Sequence, residues 1–429
     1  MGFGALRTGR RDTRVLARWS RVSRLASFVL ACSIVSIARA AALPPFSELL
    51  RQAEASAPRL IEGAAQVQAA QGFARQAAAF PNPLLGVESE NFGASPPFNG
   101  FTSAETTVTL SELVEIGGKR RSRIAAGRAD LEAAQAAYTQ ARADFAHDLA
   151  LAYVTAEAAS IRATLAAEEL ARAEEDLRAA RLLVSAGRES DLRAIQAQAL
   201  TAAARADLET SRANAVEAFI RIASLVGISE PYTGVGPSLL SVAQRLPIPT
   251  SDPPTTPPVV LAAQAQRDAA ARRLELERKR AISDLSVSVG TRRLAADDAN
   301  AFVAGVSVPI PLFDRNRGAI AARNAELTAA EARLNGAKFE AEANWRSAIA
   351  QARAADNRLR ASDELESVAQ EGYRLARLGY DAGRAPLIEL LATRRALTDA
   401  RARALDARVA RIEAEATLAR LAGRIPFGE

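Results

Sequence analysis

The stretch VPIPLFDRNRG (Val308–Gly318) lies where strand-like sequence changes directly into a long helical pattern. Proline has no N–H donor, so Pro309 and Pro311 are expected to end strand pairing at this point. Asp314 is placed to accept hydrogen bonds from the first free N–H groups of the following helix. The equivalent stretch of the first half, ELVEIGGKRRSR, has two glycines in place of the prolines. The sequence thus predicts one strand-to-helix junction in each half, at Gly117, Gly118, Pro309, Pro311 and Asp314.

The two halves of the chain are similar to each other at one constant shift in numbering. KRRSRIAAGRADLEAA (Lys119–Ala134) falls on RNRGAIAARNAELTAA (Arg315–Ala330), a shift of 196. At the same shift ARLLVSAGR (Ala180–Arg188) falls on ARLGYDAGR (Ala376–Arg384). One shift that holds over so much sequence without a gap indicates an internal duplication.

Each half is predicted to contain an Ala-rich leading helix, a strand hairpin and two long helices. Helical sequence continues without a break over about 118–185 and 314–381. Ile124, Leu131 and Tyr138 recur every seven residues, the period of a coiled coil. Helices of this length would be about 100 Å long. The expected organisation is a signal peptide (1–40), a first structural repeat (41–227), a Pro-rich equatorial linker outside the helical bundle (228–258) and a second structural repeat (259–429).

Four short segments are strand-like, PLLGVESENF with SAETTVTLSEL and LSVSVGTRRL with AFVAGVSVPI. The second pair alternates apolar with small or polar side chains, as strands with two different faces do. Segments of about ten residues can cross an outer membrane at a tilt, but lipid does not tolerate an open sheet edge. A closed membrane barrel has about eight strands or more, so one chain cannot close its own barrel. Two copies would supply eight strands and three would supply twelve. The wide helical hairpins favour three, and we expect a homotrimer.

The N-terminus has the layout of a secretory signal peptide. Residues 1–40 contain eight Arg and one Asp, a net charge of +7, which leaves −1 for the remainder of a chain whose formal charge is +6. The apolar run Leu25–Ala38 is shorter than the roughly twenty residues of a transmembrane helix, and cleavage is expected after Ala40 or Ala42. An uncleaved anchor, or a lipoprotein with lipid on Cys32, is the alternative. Because the net positive charge is confined to residues 1–40, it does not indicate that the chain binds nucleic acid.

The composition excludes most catalytic and metal-binding chemistry. The chain contains one His, one Cys and one Met. No nucleophile–base pair, metal-ligand cluster or phosphate-binding loop is recognisable, so we predict no enzyme, no catalytic residue, no metal site and no cofactor. His147 lies in the middle of a helical segment and is expected to make a surface or inter-helix polar contact.

The duplication, the paired hairpins and the long Ala-rich helices together resemble the TolC-like outer-membrane efflux proteins. NPLLGVESENFG, ELVEIGGKRRSRI and VPIPLFDRNRGAI are most similar to the CzcC-type branch, which serves cobalt–zinc–cadmium resistance. The resemblance implies a mainly α fold with a small β part. It also implies a homotrimer with four transmembrane strands per protomer, a twelve-stranded barrel in the Gram-negative outer membrane and a helical tunnel in the periplasm. The expected function is passive export of heavy-metal cations. The expected partners are outer-membrane lipid, a periplasmic adaptor and an inner-membrane RND pump.

The resemblance also implies which residues act at the periplasmic end of the tunnel. A Tyr before the second hairpin's Gly and an acidic residue after it narrow the closed tunnel, and Tyr380 and Glu389 occupy those places. A second acidic position of the family is Ala392 here, so the acidic ring is thinner. Arg394 or Arg395, about one helical turn beyond Glu389, is expected to pair with it. The residues expected to contact the adaptor are Gly187, Arg188, Gly383 and Arg384.

Two other functions are compatible with the same sequence features. An outer-membrane channel for type I protein secretion or drug efflux differs from a metal channel only in its cargo and pump. A soluble periplasmic coiled-coil adaptor or structural protein belongs to a different class. Adaptors usually carry one helical hairpin together with soluble β domains, whereas this chain has two hairpins in a repeat.

Overall fold

The computed structural model describes residues 42–246, 256–382 and 384–427. The expected signal peptide and Gly383 lie outside the described residues. Within them the strands are β1 (Ala42–Leu43), β2 (Leu84–Glu90), β3 (Glu105–Val114), β4 (Gly234–Val235), β5 (Leu285–Leu294) and β6 (Ala299–Ser307). The helices are α1 (Phe46–Ser56), α2 (Pro58–Ala78), α3 (Lys119–Ser185), α4 (Asp191–Val226), α5 (Pro258–Arg280), α6 (Arg317–Asp381) and α7 (Leu387–Leu421), with a short 3-10 helix at Leu240–Arg245.

Two very long helices, α3 with 67 residues and α6 with 65, dominate the molecule. Their sequences are rich in Ala, Arg and Glu and contain no proline, which favours uninterrupted helix. The predicted helical ranges are confirmed, except that α6 begins at Arg317 instead of Asp314. Helices α3 and α4 form one antiparallel hairpin, and α6 and α7 form the other. No helix in the described ranges is apolar over a length sufficient to span a bilayer.

The four predicted strands form one antiparallel sheet in the order β2-β3-β5-β6, which leaves β2 and β6 as edges. The register places Val87, Val108, Thr291 and Phe302 side by side in a row across the sheet. On this apolar face Phe302 is 95% exposed. Because side chains alternate along a strand, the opposite face is polar. The polar face includes Glu88, Thr107 and Arg292. The exposed large side chains of the apolar face include Leu85, Val87, Leu110, Val289, Phe302 and Val306.

The main hydrophobic core lies around the middle of α3 and contains side chains from α1, α4 and α7. Tyr153 is completely buried there, and its hydroxyl lies 2.9 Å from the carbonyl oxygen of Pro237, to which it donates a hydrogen bond. Glu157, one turn further along α3, accepts the backbone N–H groups of Leu239 (2.9 Å) and Leu240 (3.1 Å).

These contacts correct the prediction that the segment 228–258 lies outside the helical bundle. Leu239, Leu240 and Ala243 are buried in the main core. Their burial is favourable because it removes apolar surface from water. The first strand, β1, pairs in parallel with β4 of the same segment. Residues 228–246 of the linker are therefore held on the helices by main-chain and side-chain contacts.

Candidate functional site: the sheet–helix junctions and the hairpin tips

At the second junction the sheet ends before the prolines, as predicted. The last paired residue of β6 is Ser307, two positions before Pro309. Asn316 precedes α6 with a left-handed backbone (φ 56°), and its N–H donates to Asp314 Oδ1 at 2.8 Å. The prediction that Asp314 caps the first N–H groups of the helix is wrong, because the helix begins three residues later at Arg317.

At the first junction two glycines and a nearly buried ion pair join the sheet to α3. Gly117 and Gly118 both have positive φ, 69° and 78°. A Cβ atom on Gly117 would lie 2.6 Å from Cδ1 of Ile282, so glycine is required for space as well as for conformation. Lys119 Nζ lies 2.6 Å from Asp284 Oδ1, which connects the first residue of α3 to the residue before β5.

At the second junction, Asn316 connects the start of α6 to α5. Its side-chain Nδ2 donates to both the main-chain oxygen and Oε2 of Glu277, each at 2.9 Å. Glu277 is 7% exposed and pairs with Arg280 in the last turn of α5. The start of α6 is therefore attached to the end of α5, and the position of the chain between β6 and α6 is fixed from both sides.

The two hairpin tips have a main-chain hydrogen bond at equivalent positions. In the first tip the N–H of Arg188 donates to the oxygen of Leu183 at 2.9 Å, and Gly187 has a φ of 69°. In the second tip the N–H of Arg384 donates to the oxygen of Gly379 at 2.8 Å. Both donor and acceptor are related by the shift of 196, so the duplication extends to individual hydrogen bonds. Such bonds satisfy the last carbonyls of a helix.

The expected constriction residues lie on either side of the second tip. Tyr380 is 38% exposed on the last turn of α6, and Glu389 is exposed in the first turn of α7. The predicted pairing of Glu389 with Arg394 or Arg395 is wrong, because neither arginine forms an ion pair with Glu389 among the described residues. Arg394 Nη1 donates instead to Asp176 Oδ2 of α3 at 2.8 Å. Arg394 points across the helix pair because α7 packs against α3 on that side.

Further polar contacts join α3 and α7 along their length. Arg394 Nη2 also approaches Glu169 Oε1, at 3.4 Å. Arg162 lies 2.6 Å from Asp406, and Arg420 lies 3.4 Å from Asp144. These partners were not predicted from the sequence. The residue numbers of the partners rise along α3 as they fall along α7, as expected of antiparallel helices. This pattern can be recognised only when the two helices are known to be neighbours.

His147 makes an inter-helix polar contact, as the sequence predicted. Its Nε2 lies 3.3 Å from Thr417 Oγ1 on α7, and its Nδ1 lies 3.3 Å from Asp148 Oδ1. Burial lowers the pKa of His147 below its usual value, and the positive charge of Arg420 acts in the same direction, while Asp148 opposes both. Burial also raises the pKa of Tyr153 to about 12, so its hydroxyl remains a donor at neutral pH.

The described residues contain no group of three or more His, Cys, Asp or Glu side chains arranged to hold a metal ion. The charged side chains of the α3–α7 contact neutralise one another in pairs.

A family model described as outer membrane efflux protein matches residues 49–228 and 257–424. The chain belongs to the outer membrane efflux protein family. The two matched ranges contain one helical hairpin each, which agrees with the duplication. The segment between them begins directly after α4 and ends directly before α5.

Curated relatives within this family carry names from metal resistance. The nickel-cobalt-cadmium resistance protein NccC of Alcaligenes xylosoxydans xylosoxydans is 44% identical over 91% of this chain and 89% of its own length. The nickel and cobalt resistance protein CnrC of Cupriavidus metallidurans is 44% identical over 92% of this chain and 94% of its own. The cobalt-zinc-cadmium resistance protein CzcC of the same organism is more distant, 28% identical over 60% of this chain and 61% of its own. The resemblance to metal-resistance efflux proteins is thereby confirmed.

Solved structures confirm the TolC-like fold. The outer membrane protein VceC of Vibrio cholerae superimposes with a TM-score of 0.70 over 89% of this chain and 96% of its own, at 20% identity. The open state of the MtrE outer membrane channel of Neisseria gonorrhoeae has a TM-score of 0.70 over 89% of both chains, also at 20% identity. The arrangement of two helical hairpins and a four-stranded sheet is therefore common to chains with very different sequences.

Proposed function

We propose that this protein is the outer-membrane channel of a tripartite efflux pump and conducts metal cations passively from the periplasm to the exterior. The observation that carries the proposal is the sheet: four strands with an exposed apolar face, a polar face and two open edges, attached to two long helical hairpins. A sheet of this kind cannot be sealed in lipid by one chain, because unpaired N–H and C=O groups at its edges cost several kcal/mol each.

Identical copies can close the sheet. Strands β2 and β6 run in opposite directions, so β6 of one copy pairs with β2 of the next in the antiparallel sense that the other pairs already have. Three copies give a twelve-stranded barrel whose polar face lines the pore and whose apolar face meets lipid. The helices then form the periplasmic tunnel, and residues 1–40 direct export as a cleaved signal peptide.

The cargo is assigned from the relatives together with the chemistry of the chain. NccC and CnrC are named for resistance to nickel and cobalt. The described residues provide no metal-ligand cluster, so this chain conducts the cation while an inner-membrane RND pump selects it. A periplasmic adaptor joins the two at the hairpin tips, at Gly187, Arg188, Gly383 and Arg384. Neither catalysis nor a cofactor has a place in this function.

The periplasmic end narrows at Tyr380 and Glu389. Three copies of Glu389 around one axis attract cations and repel one another, and no described partner of the same chain neutralises this carboxylate. Glu389→Ala is expected to reduce the preference for cations in single-channel recordings without preventing trimer assembly. Glu189→Ala, at the tip of the other hairpin, is the matched control. Equal ion selectivity in both variants contradicts a pore position for Glu389.

The function is tested by deleting the gene and challenging the strain with nickel, cobalt, cadmium and zinc, and in parallel with dyes and detergents. Sensitivity to the metals alone is expected, and complementation by the intact chain should reverse it. Sensitivity to dyes alone favours a drug-efflux channel. Recovery of the mature protein as a monomer in detergent-free periplasmic extract supports the soluble adaptor class and refutes the channel.

A further inference from the structure

An exposed apolar segment connects the sheet to α6. Ile310 is 77% exposed, Leu312 66% and Phe313 100%. We call residues 308–313 the junction segment. It follows β6 directly and continues from Val306, which lies on the apolar face of the sheet and is 69% exposed. Exposed apolar side chains in one contiguous patch indicate a surface that meets a partner or a membrane.

The exposure of this segment is not a consequence of a loose loop. Pro309 and Pro311 restrict its backbone. Its far end is fixed by the two hydrogen bonds from the Asn316 side chain to Glu277. The Nε of Arg315 also donates to the oxygen of Pro311 at 3.3 Å. The apolar side chains are thus presented at a fixed height between the sheet and the helices.

Exposed cations surround the helical side of this segment. Arg315 and Arg317 follow it in sequence, and Arg278 adjoins Glu277, which Asn316 contacts. All three arginines are exposed. The nearest carboxylate of α5, Glu277, is buried and already paired with Arg280. The patch therefore has an apolar side toward the sheet and a positive side toward the helices, which matches the acyl and phosphate layers of a membrane surface.

We propose that the junction segment and these three arginines bind phospholipid headgroups of the leaflet on the helical side, with a preference for anionic headgroups. The inference rests on the proposed function, since it requires the sheet to lie in a membrane. Phe313, Leu312 and Ile310 enter the acyl layer, and the guanidinium groups bind phosphate oxygens. This contact sets the height at which the sheet lies in the membrane.

A neighbouring copy of the chain is the competing occupant, and its charges fit less well. Pairing of β6 with β2 of another copy brings the chain before β2 towards the junction segment. Residues 63–83 contain no Asp or Glu, so they offer no carboxylate to Arg315 or Arg317. They contribute a cation of their own, Arg75. Lipid phosphate provides the negative charge that this neighbour lacks.

The test uses a tryptophan reporter at the fully exposed position. Phe313→Trp is introduced into the full chain, which is assembled in vesicles of phosphatidylcholine with phosphatidylglycerol. The one other Trp of residues 42–429, Trp345, lies 28 residues beyond Arg317 on α6, about 40 Å along the helix and outside the bilayer. Quenching of the added fluorescence by brominated lipid is expected, stronger with brominated phosphatidylglycerol than with brominated phosphatidylcholine.

The charge requirement is tested in the same reporter background. Arg315→Gln with Arg317→Gln should lower the ratio of the two lipid association constants about fivefold for each charge removed. Arg333→Gln with Arg358→Gln, two exposed positions further along α6, is the matched control and should leave the ratio unchanged. The Leu312→Trp reporter repeats the measurement at a second exposed site.

The outcomes separate this inference from the proposed function. Channels that conduct and run as trimers, but whose reporters are not quenched by either lipid, show that another copy covers the segment and overturn the inference alone. An unchanged ratio after removal of Arg315 and Arg317 overturns the recognition of phosphate. Absence of conductance from the unmodified chain overturns the channel function and, with it, the lipid contact.

Discussion

Replacement of Arg394 by glutamine is expected to loosen the hairpin tips, because Arg394 joins α7 to α3 near that end. It has a 2.8 Å hydrogen bond to Asp176 and a longer contact of 3.4 Å to Glu169. A hydrogen bond between charged groups contributes about 1.5–3 kcal/mol, and the partial exposure of both carboxylates favours the lower end. A loss of about 1.5 kcal/mol changes the equilibrium between attached and separated tips roughly tenfold per protomer.

The symmetry of the proposed trimer enlarges this effect. If three protomers move together, the three losses add to about 4.5 kcal/mol, or roughly a thousandfold. If each hairpin moves independently, the change remains about tenfold. The main core, where α7 contributes Leu405, Ile412 and Ala416, lies further from the tips and is unaffected. The variant is therefore expected to assemble normally and to conduct more.

Single-channel recording of the purified protein in planar bilayers measures this change directly. Arg395→Gln is the matched control, because Arg395 is the next residue, is exposed and forms no ion pair with another described residue of the chain. Asp176→Asn should reproduce the effect of Arg394→Gln, and the double variant should add little to either, since both remove the same contact. Identical open fractions for Arg394→Gln, Arg395→Gln and the unmodified channel would refute the reasoning.

Substitutions at three further positions test individual contacts by thermal unfolding. Glu157→Gln is expected to cost about 2 kcal/mol, because the remaining amide oxygen can still accept the N–H groups of Leu239 and Leu240, but the carboxylate charge and the Oε1 acceptor of the Ser238 hydroxyl are lost. An unchanged melting temperature contradicts this. Asn316→Gly retains the left-handed backbone but loses the bonds to Glu277, whereas Asn316→Ala should be about 1 kcal/mol worse, since alanine is strained at a φ of 56°; equal losses would show that the backbone is not strained. The pKa of His147 is lowered from 6.5 in the folded protein, so the unfolded chain takes up this proton at a higher pH than the folded protein does. The contribution of the neutral His147 to stability is therefore fully present above pH 6.5 and decreases as the pH falls through that value. His147→Gln should reduce this decrease, and an identical pH dependence would exclude His147 as its source.

The strands and long helices were predicted from sequence because their causes are local. Ala-rich sequence without proline favours helix whatever surrounds it, and α3 and α6 end at the predicted residues, Ser185 and Asp381. Alternating side chains in the second half likewise predicted strands with two different faces. The duplication supported these predictions of helices and strands, because a pattern found in one half could be checked in the other.

The start of α6 shows where local reasoning failed. A helix beginning at Asp314 satisfies the capping rule, yet Asn316 is drawn into a left-handed conformation by its side-chain bonds to Glu277. Those bonds come from α5, which precedes the site by almost forty residues. A capping residue predicted from its neighbours in sequence cannot take account of a partner on another helix.

The partner of the charged residues near the tips was predicted wrongly for the same reason, since the true partner lies on another helix. The nearest arginine to Glu389 on the same helix is Arg394, but its guanidinium group reaches Asp176 on α3. The amino-acid sequence specifies the periodicity, the lengths and the duplication of the elements, since these depend on interactions between residues a few positions apart. Which helix lies beside which, and hence which charges meet and which surfaces remain exposed to a membrane, depends on packing between segments that are far apart in the chain.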